Sequence, residues 1–481
     1  MGFLQGPLGR RLFMVGIKGT GMASLAVMLA KAGFSVSGSD TGEVFSTDAL
    51  LHSHDIMCIA SFDASDLPVG IDAVIHSTAW KPASNQQLIE ARRRGLPIFS
   101  YPGFLSYLAS HSESYGIAGT HGKTTTAGCA TWMLAPTGLP YFSVFGSSLA
   151  QSGAGSYHGD EIGIIEACEY QDHFLSYDLQ GAVVLNVDYD HPDWFADADS
   201  CYRSFARFAL RLAPSGFLIV CTDTDGGRRL AAHIQAERPD LTIITYGTVG
   251  ESDFKLVDYL YRDGEGHYRL SSLDGWFTSR LAGPVLTGDI VGAALLCTCI
   301  VLHREGRLSK PNMVDLPILA AFLREGERFI GCAGRSETLR LGDDIVLIKD
   351  YAHHPAEITT TLESLRIVHP DKRFVLVFSP HTVSRTVTFM ADFAVALSAC
   401  DLLFVLPVYA SARNDGEKKL CDTTAEQLAE MAGGRYIDDE PSLFDSLLAL
   451  LQPGDVCITM GAGNTLALYE RLKAHYRSDE R

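Results

Sequence analysis

The run Gly119-Thr120-His121-Gly122-Lys123-Thr124-Thr125-Thr126 sets two glycines, a lysine and hydroxyl residues in the order a polyphosphate requires. Glycines let the backbone curl until its N–H groups face an anion, and a helix that starts at the loop adds its positive end. Lys123 can then neutralise terminal phosphate oxygens, and the Thr124 hydroxyl can help hold a divalent cation. Tyr115-Gly116-Ile117-Ala118 before the loop predicts a strand, and residues 127–134 predict a helix. The common form of this motif has another glycine six residues before the lysine. Here Ile117 stands there, between Gly116 and Gly119, so the loop is a variant. The expected ligand is a nucleoside triphosphate, cradled by Gly119, Thr120, His121, Gly122 and Thr125.

Two further runs could complete such a site. Strand-like Ile162-Gly163-Ile164-Ile165 leads to Glu166, and Ala182-Val183-Val184-Leu185 leads to Asn186-Val187-Asp188-Tyr189-Asp190-His191. Apolar strands ending in polar residues deliver those residues to one edge of a sheet. A carboxylate and an imidazole arriving beside the loop could share a Mg²⁺ with Thr124, although Mg²⁺ prefers oxygen donors and keeps several waters. Taken singly, Glu166 also reads as a helix cap and His191 as a hydrogen-bonded turn residue. Taken with the phosphate loop, the pair points to a metal site.

The elements that must position these residues form three α/β segments. The first opens with Leu12-Phe13-Met14-Val15, turns through Gly16-Ile17-Lys18-Gly19-Thr20-Gly21-Met22, and runs on as an apolar-periodic helix to about Lys31. Ser37-Gly38-Ser39-Asp40 follows, and Ala73-Val74-Ile75-His76 later leads into Ser77 and Thr78. A glycine turn at a helix start, with an acidic residue about 20 positions on, suits a pyrophosphate and a ribose. The glycine spacing is not the dinucleotide order, so the turn alone does not make a dehydrogenase. The third segment carries four apolar strands ending at Asp350-Tyr351-Ala352-His353-His354-Pro355, at Pro380-His381-Thr382-Val383-Ser384-Arg385, at Tyr409 to Arg413, and at Gly461-Ala462-Gly463-Asn464. The expected fold class is α/β, with three domains each built on a mostly parallel sheet over residues 1–110, 111–323 and 324–481.

With 481 residues the chain can build several cores. Its 39 basic and 57 acidic residues give a net charge of -18, which opposes non-specific attraction to nucleic acid or anionic membrane. Eleven cysteines without a C-x-x-C pair read as buried thiols in a reducing compartment. The apolar run 291–302 is too short to span a bilayer, and no cleavage signal is read near the N-terminus. A cytoplasmic enzyme without membrane insertion is expected. Oligomeric state is not legible.

The phosphate loop, strand-end Glu166, Asp190-His191, Asp350-Tyr351-Ala352-His353-His354-Pro355 and the N-terminal glycine turn, in this order, resemble the Mur ligases that assemble the peptide of bacterial peptidoglycan. The resemblance covers nearly the whole chain. The first turn with Ser37-Gly38-Ser39-Asp40, and Pro380-His381-Thr382 with Arg385-Thr386, look most like the branch that adds L-alanine to UDP-N-acetylmuramate. The branch that reattaches recycled tripeptide is the alternative. The resemblance implies a Rossmann-like UDP-sugar domain, a P-loop ATPase-like central domain for ATP and Mg²⁺, and a Rossmann-like C-terminal amino-acid domain.

The family reaction activates the lactyl carboxylate as an acyl phosphate, which the amino group of L-alanine attacks. By similarity Gly19, Thr20, Gly21, Met22, Asp40, Ser77 and Thr78 face the UDP-sugar, and Lys123 the transferring phosphoryl group. Thr124, Glu166 and His191 would hold the metal. Asp350 and His353 would meet the nucleotide, Arg335 its phosphates, and His381 and Arg385 the amino acid or acyl phosphate.

Three departures stand out. Gly334 replaces the first of a usual arginine pair, leaving Arg335 followed by Ser336. Gly288-Asp289-Ile290-Val291-Gly292 replaces a run that ordinarily frames adenine, where Asp289 could still accept a bond from an exocyclic amine. No lysine lies between His191 and Lys255, so the carbamylated lysine of other branches has no counterpart. Outside this family, a dehydrogenase would explain only the first segment, and a P-loop regulatory switch only the second.

Overall fold

The computed structural model describes all residues except 1, 151–152, 155–156, 309–313, 342–343, 410–417, 462, 464 and 479–481. Two compact units emerge from its contacts. The first holds residues 2–189, 198–260 and 267–332, and the second holds 190–197, 261–266 and 333–481.

The first unit contains two sheets. Five short strands, β1 (Arg11–Val15), β2 (Ser35–Ser39), β3 (Met57–Ile59), β4 (Ala73–His76) and β5 (Ile98–Ser100), lie parallel in the order β3-β2-β1-β4-β5. The order reverses between β1 and β4, which opens a crevice at their carboxyl ends, the usual ligand position of such sheets. Helices α1 (Thr20–Lys31), α2 (Asp48–Ser53), α3 (Gln86–Arg93) and α4 (Tyr101–Ser110) connect and cover them.

The second sheet has nine strands: β6 (Glu113–Ala118), β7 (Tyr141–Val144), β10 (Ile162–Glu166), β11 (Gly181–Val184), β12 (Phe217–Cys221), β13 (Thr242–Gly247), β14 (Phe254–Arg262), β15 (Glu265–Leu270) and β16 (Phe277–Ser279), with a separate two-stranded ladder, β8 (Ser148–Leu149) and β9 (Gly153–Ala154). Its order is β16-β15-β14-β13-β12-β11-β6-β10-β7, so β6 runs between β10 and β11. Register places Glu166 beside Ile117 and Val184 beside Ala118. Whatever follows those two strands must therefore emerge on either side of whatever follows β6. Helices α5 (Lys123–Leu134), α6 (Ala198–Leu210), α7 (Asp225–Glu237), α8 (Pro284–Arg304) and α9 (Leu316–Gly326) pack this layer.

Helix α8 corrects the reading that its apolar run is too short to cross a membrane. It has 21 residues, and an 18-residue stretch within it has a mean hydropathy of 2.2, enough by length and composition. Yet 78% of its apolar window is buried, because α5, α9 and strands β11, β12 and β13 surround it. A helix apolar on every side is what such a central position needs. Eight cysteines are buried, three are partly buried, and all eleven are free thiols.

The second unit is built on β17 (Glu337–Arg340), β18 (Val346–Asp350), β19 (Phe374–Ser379), β20 (Leu402–Val405), β21 (Arg435–Tyr436) and β22 (Val456–Gly461) in the order β17-β18-β22-β19-β20-β21. All pairs are parallel except β17 with β18. Helix α10 (Pro355–Val368) follows β18, and the short α11 (Val383–Thr388) follows β19. Asp350 lies beside Met460 and Ser379 beside Gly461, so the ends of β18 and β19 flank that of β22. The sheet inventory is the α/β class expected, with three mostly parallel sheets.

Candidate active site

At the first sheet's switch point the chain after β1 turns sharply. Gly16 adopts φ +78, and a Cβ there would stand 2.7 Å from the Trp80 ring. Gly19 starts α1 with no side-chain cap and no acid in the first turn, which leaves the positive helix end to an external anion. Asp40 is 5% exposed, and its two oxygens accept from the backbone N–H groups of Lys18 at 2.7 Å and Thr41 at 2.8 Å. In this structure it therefore shapes the turn. Burial pushes its carboxyl above the ordinary range against the pull of those bonds and of the Lys18 charge. Lys18 is itself anchored on the Glu43 carbonyl at 2.7 Å and Asp48 at 3.2 Å. Ser77 extends the β4 edge by donating its N–H to the Val15 carbonyl at 2.9 Å, and Thr78 follows it. Gly19, Thr20, Gly21, Met22, Asp40, Ser77 and Thr78 thus share one carboxyl edge.

The phosphate loop follows β6. Gly122 takes a left-handed φ of +81, and a Cβ there would lie 2.6 Å from an Asp289 oxygen. Asp289, buried on α8, is therefore beside the loop although its surrounding motif departs from the family. The loop is clamped from the β11 end. The Asn186 side chain accepts the His121 N–H at 2.8 Å and donates to the His121 carbonyl at 3.1 Å. The Thr120 hydroxyl donates to the Asp188 carbonyl and accepts its N–H, both at 3.0 Å. Burial raises the Asp188 carboxyl, while the His121 ring opposes the shift.

From the β10 end come two carboxylates. The Thr124 hydroxyl lies 3.2 Å from each Glu166 oxygen, and the Gly146 N–H donates to Glu166 at 2.8 Å. Lys123 donates to the Gly119 and Thr120 carbonyls and pairs with Glu169 at 2.9 Å. Glu169 is 1% exposed. Burial works against the lysine's charge, but Glu169, with Cys168 and Glu166 behind it, outweighs burial and holds the ammonium above its ordinary pKa. Helix α5 begins at Lys123, four residues earlier than the sequence reading placed it, because Gly122 supplies the left-handed turn into it.

In the second unit, Asp350 at the end of β18 accepts from the Ser336 N–H at 2.6 Å and hydroxyl at 3.0 Å, and from the Ala352 N–H at 2.7 Å. Burial raises its pKa, and the Arg335 charge and these donors pull it back. The Arg335 guanidinium stacks 4.9 Å over the Tyr351 ring. His353 accepts no charge easily: burial lowers its pKa to about 4, only partly offset by Glu357. Its Nδ1 lies 3.0 Å from the Tyr351 carbonyl, and its ring centre is 5.9 Å from that of His381.

Arg385 is 4% exposed and pairs side-on with Asp190, at 2.8 Å through Nε and 3.1 Å through Nη2, while Nη1 donates to the His381 carbonyl at 3.2 Å. For Asp190, burial is the largest influence and would raise its pKa. Arg385, His191 and His354 together outweigh it and keep the carboxylate well below its ordinary range. His191 has a left-handed φ of +55, with its Nε2 3.7 Å from Asp190. It therefore belongs to the second unit, whereas Thr124 and Glu166 belong to the first. Among the described residues no three His, Cys, Asp or Glu side chains form a ready metal cluster. Of the loop from Tyr409 to Arg413, only Tyr409 is described, paired in a parallel bridge with His381; Ser411 and Arg413, like Ala462 and Asn464, lie outside the described residues.

Three segments of the chain match Mur ligase domains: residues 12–113 the Mur ligase family catalytic domain, 117–295 the Mur ligase middle domain, and 334–463 the Mur ligase glutamate ligase domain. A UDP-N-acetylmuramate–L-alanine ligase of Treponema pallidum (strain Nichols) is 32% identical over 478 residues, covering 98% of each chain. The chain belongs to the Mur ligase family. The ligase of the same description from Mycobacterium tuberculosis is 34% identical over 477 residues, 95% of this chain and 93% of its own. Among solved structures, the Mur ligase fold is shared with UDP-N-acetylmuramate-alanine ligase of Thermotoga maritima, at TM-score 0.77 and 20% identity over 98% of this chain and 99% of the other. A murein peptide ligase of Psychrobacter arcticus gives TM-score 0.72 and 19% identity over 97% and 98%.

Sequence reasoning missed Glu169, Asn186 as the loop's clamp, and Asp190 as the partner of Arg385. The first stood in plain view, three residues after Glu166 at the same strand end. The other two depend on cross-strand placement that no spacing announces.

Two expectations follow. Lys123→Ala strands the buried Glu169 and should lower unfolding stability by about 3 kcal/mol while abolishing ATP turnover. Adding Glu169→Gln should recover most of the stability and none of the turnover, as denaturant titration and ADP formation would show. His353 has a folded pKa of about 4 against an ordinary 6.5, so between those values the unfolded chain binds a proton that the folded chain refuses. Stability is then full above about pH 6.5 and falls as pH drops toward 4. His353→Gln should lose measurably less stability than wild type between pH 7 and pH 5.

Proposed function

We propose that this chain joins L-alanine to the lactyl carboxylate of UDP-N-acetylmuramate at the expense of ATP, in the synthesis of peptidoglycan precursors. The observation that carries this reading is identity of 32–34% across 93–98% of the length of relatives described as UDP-N-acetylmuramate–L-alanine ligases. The chemistry of the site agrees with it. A carboxylate oxygen of the sugar nucleotide attacks the γ-phosphorus, the bond to ADP breaks, and an acyl phosphate forms. The amino nitrogen of L-alanine then attacks the acyl carbon, inorganic phosphate leaves, and the amine gives up a proton.

Each step asks something of particular residues. The loop N–H groups and Lys123 hold and neutralise the phosphoryl group in flight, which is most of what phosphoryl transfer needs. Glu169 keeps that lysine charged and aimed before nucleotide arrives. Thr124 and Glu166 offer the hard oxygen donors Mg²⁺ prefers. Magnesium, when bound, supplies charge neutralisation on the phosphates.

The anion-ready start of α1, with Ser77 and Thr78 at the same edge, suits the UDP moiety. Asp40 acts there by fixing the turn. On the second unit, Arg335 serves the nucleotide phosphates, and Asp350 shapes the turn between Ser336 and Ala352 that carries His353. A neutral His353 beside His381 suits the reception of an amine. Arg385, with three N–H donors engaged, keeps two for the amino-acid carboxylate or acyl phosphate. This assignment divides the chain into a UDP-sugar domain over 1–110, an ATP domain over 111–323 and an amino-acid domain over 324–481, although α9 and the first compact unit run past residue 323. A cytoplasmic location goes with the nucleotide substrates.

The experiment is phosphate release and product mass with L-alanine, glycine, L-serine and murein tripeptide offered in parallel, each with ATP and UDP-N-acetylmuramate. L-Alanine should give a kcat/KM at least about tenfold above glycine, since one methyl in a fitted pocket is worth that much. Turnover with the tripeptide alone would assign the chain to recycling instead.

A further inference from the structure

Tyr101 was singled out by no motif, yet it stands at the edge where the sugar nucleotide is read to bind. It follows β5 directly and opens α4, on the same carboxyl edge as the Gly16 turn and Ser77. Its backbone is held in place: the Ser100 hydroxyl accepts the Gly103 N–H at 3.2 Å, and Pro102 sits in the first turn of the helix. Its ring lies against the start of α1. A Cβ at Gly21 would stand 2.8 Å from both the Tyr101 hydroxyl oxygen and the ring carbon that bears it. Gly21 is thus small because the phenol end needs the space, as well as for any approach of an anion.

The hydroxyl itself has no hydrogen-bond partner among the described residues, and the side chain is neither exposed nor sealed in the core. A ring that served packing alone would have no use for that oxygen. Helix α4 also packs on β4 and β5 of the first sheet and on β6 and β10 of the second, and β10 ends at Glu166. Burial, with Glu166 and Cys168 adding to it, drives the phenol pKa upward, so the group stays protonated and can donate.

We propose that the Tyr101 hydroxyl donates a hydrogen bond to a diphosphate oxygen of the sugar nucleotide seated at the start of α1. The proposal rests on the reading that UDP-N-acetylmuramate binds at this edge. It makes Tyr101 a substrate-binding residue, with Gly21 holding the gap in which its phenol end lies. The bond joins a neutral donor to a charged acceptor, the stronger kind of hydrogen bond.

The test is calorimetric titration of UDP and of UDP-N-acetylmuramate into the full-length wild type and Tyr101→Phe, with steady-state kinetics alongside. Removing one hydroxyl from a ring that keeps its shape should leave folding intact. Tyr101→Phe should weaken both ligands by about tenfold, and raise KM for UDP-N-acetylmuramate to match, with kcat and KM for ATP unchanged. Equal affinity in the two proteins would reduce Tyr101 to packing and overturn the proposal. Weakening of UDP-N-acetylmuramate without weakening of UDP would also overturn it, because the contact would then be to the sugar. A wild type that binds neither ligand would instead fail the underlying reading, and this proposal with it.

Discussion

The position of β6 between β10 and β11 is the constraint on which the candidate site depends. A phosphate loop is useful only if it is held in shape from outside while N–H groups remain for the anion. The flanking strands do that work. Asn186 and Asp188 take up His121 and Thr120 from one side, while Glu166 and Glu169 take up Thr124 and Lys123 from the other. The parallel register that sets Glu166 beside Ile117 and Val184 beside Ala118 makes these meetings unavoidable. Loss of that register by one residue would turn both strand ends to the wrong face.

The buried Lys123–Glu169 pair is the energetic counterpart of this geometry. An ammonium and a carboxylate removed from water cost more apart than together, so the pair fixes the lysine where a phosphate must later lie. The second unit uses the same device: Asp190 and Arg385, 5% and 4% exposed at their side chains, hold each other in the one state that leaves neither charge bare. In both places a carboxylate holds a cation in its charged state. That explains how a largely buried Lys123 stays charged.

Much of this was legible in the sequence because parallel strands, covered on both faces, are nearly continuous apolar runs that stop at polar residues. Ile162 to Glu166, Phe374 to Ser379 and the glycine turn after Val15 could be placed from that contrast alone. Other features were not legible, for physical reasons. The backbone N–H groups that Asp40 and Asp350 accept from are brought to them only by the folded turn, so no spacing announces those bonds. The partnership of Arg385 with Asp190 spans 195 positions, and the sequence reading gave that arginine to the substrate alone. Helix α8 was read by the length of its apolar core, whereas its true extent reflects burial on every side. Tyr101 was passed over because a tyrosine at a helix start carries no signature until the neighbouring helix is in place.

The central claim is that the loop-bound phosphoryl group is transferred to the substrate carboxylate before the amide is made. It is tested most directly with UDP-N-acetylmuramate carrying ¹⁸O at both oxygens of its lactyl carboxylate, in a complete reaction with ATP and L-alanine, followed by mass spectrometry of the inorganic phosphate. Transfer through an acyl phosphate predicts that each phosphate released carries one ¹⁸O atom from the carboxylate. Phosphate that contains only the oxygens of ATP and water would contradict the account.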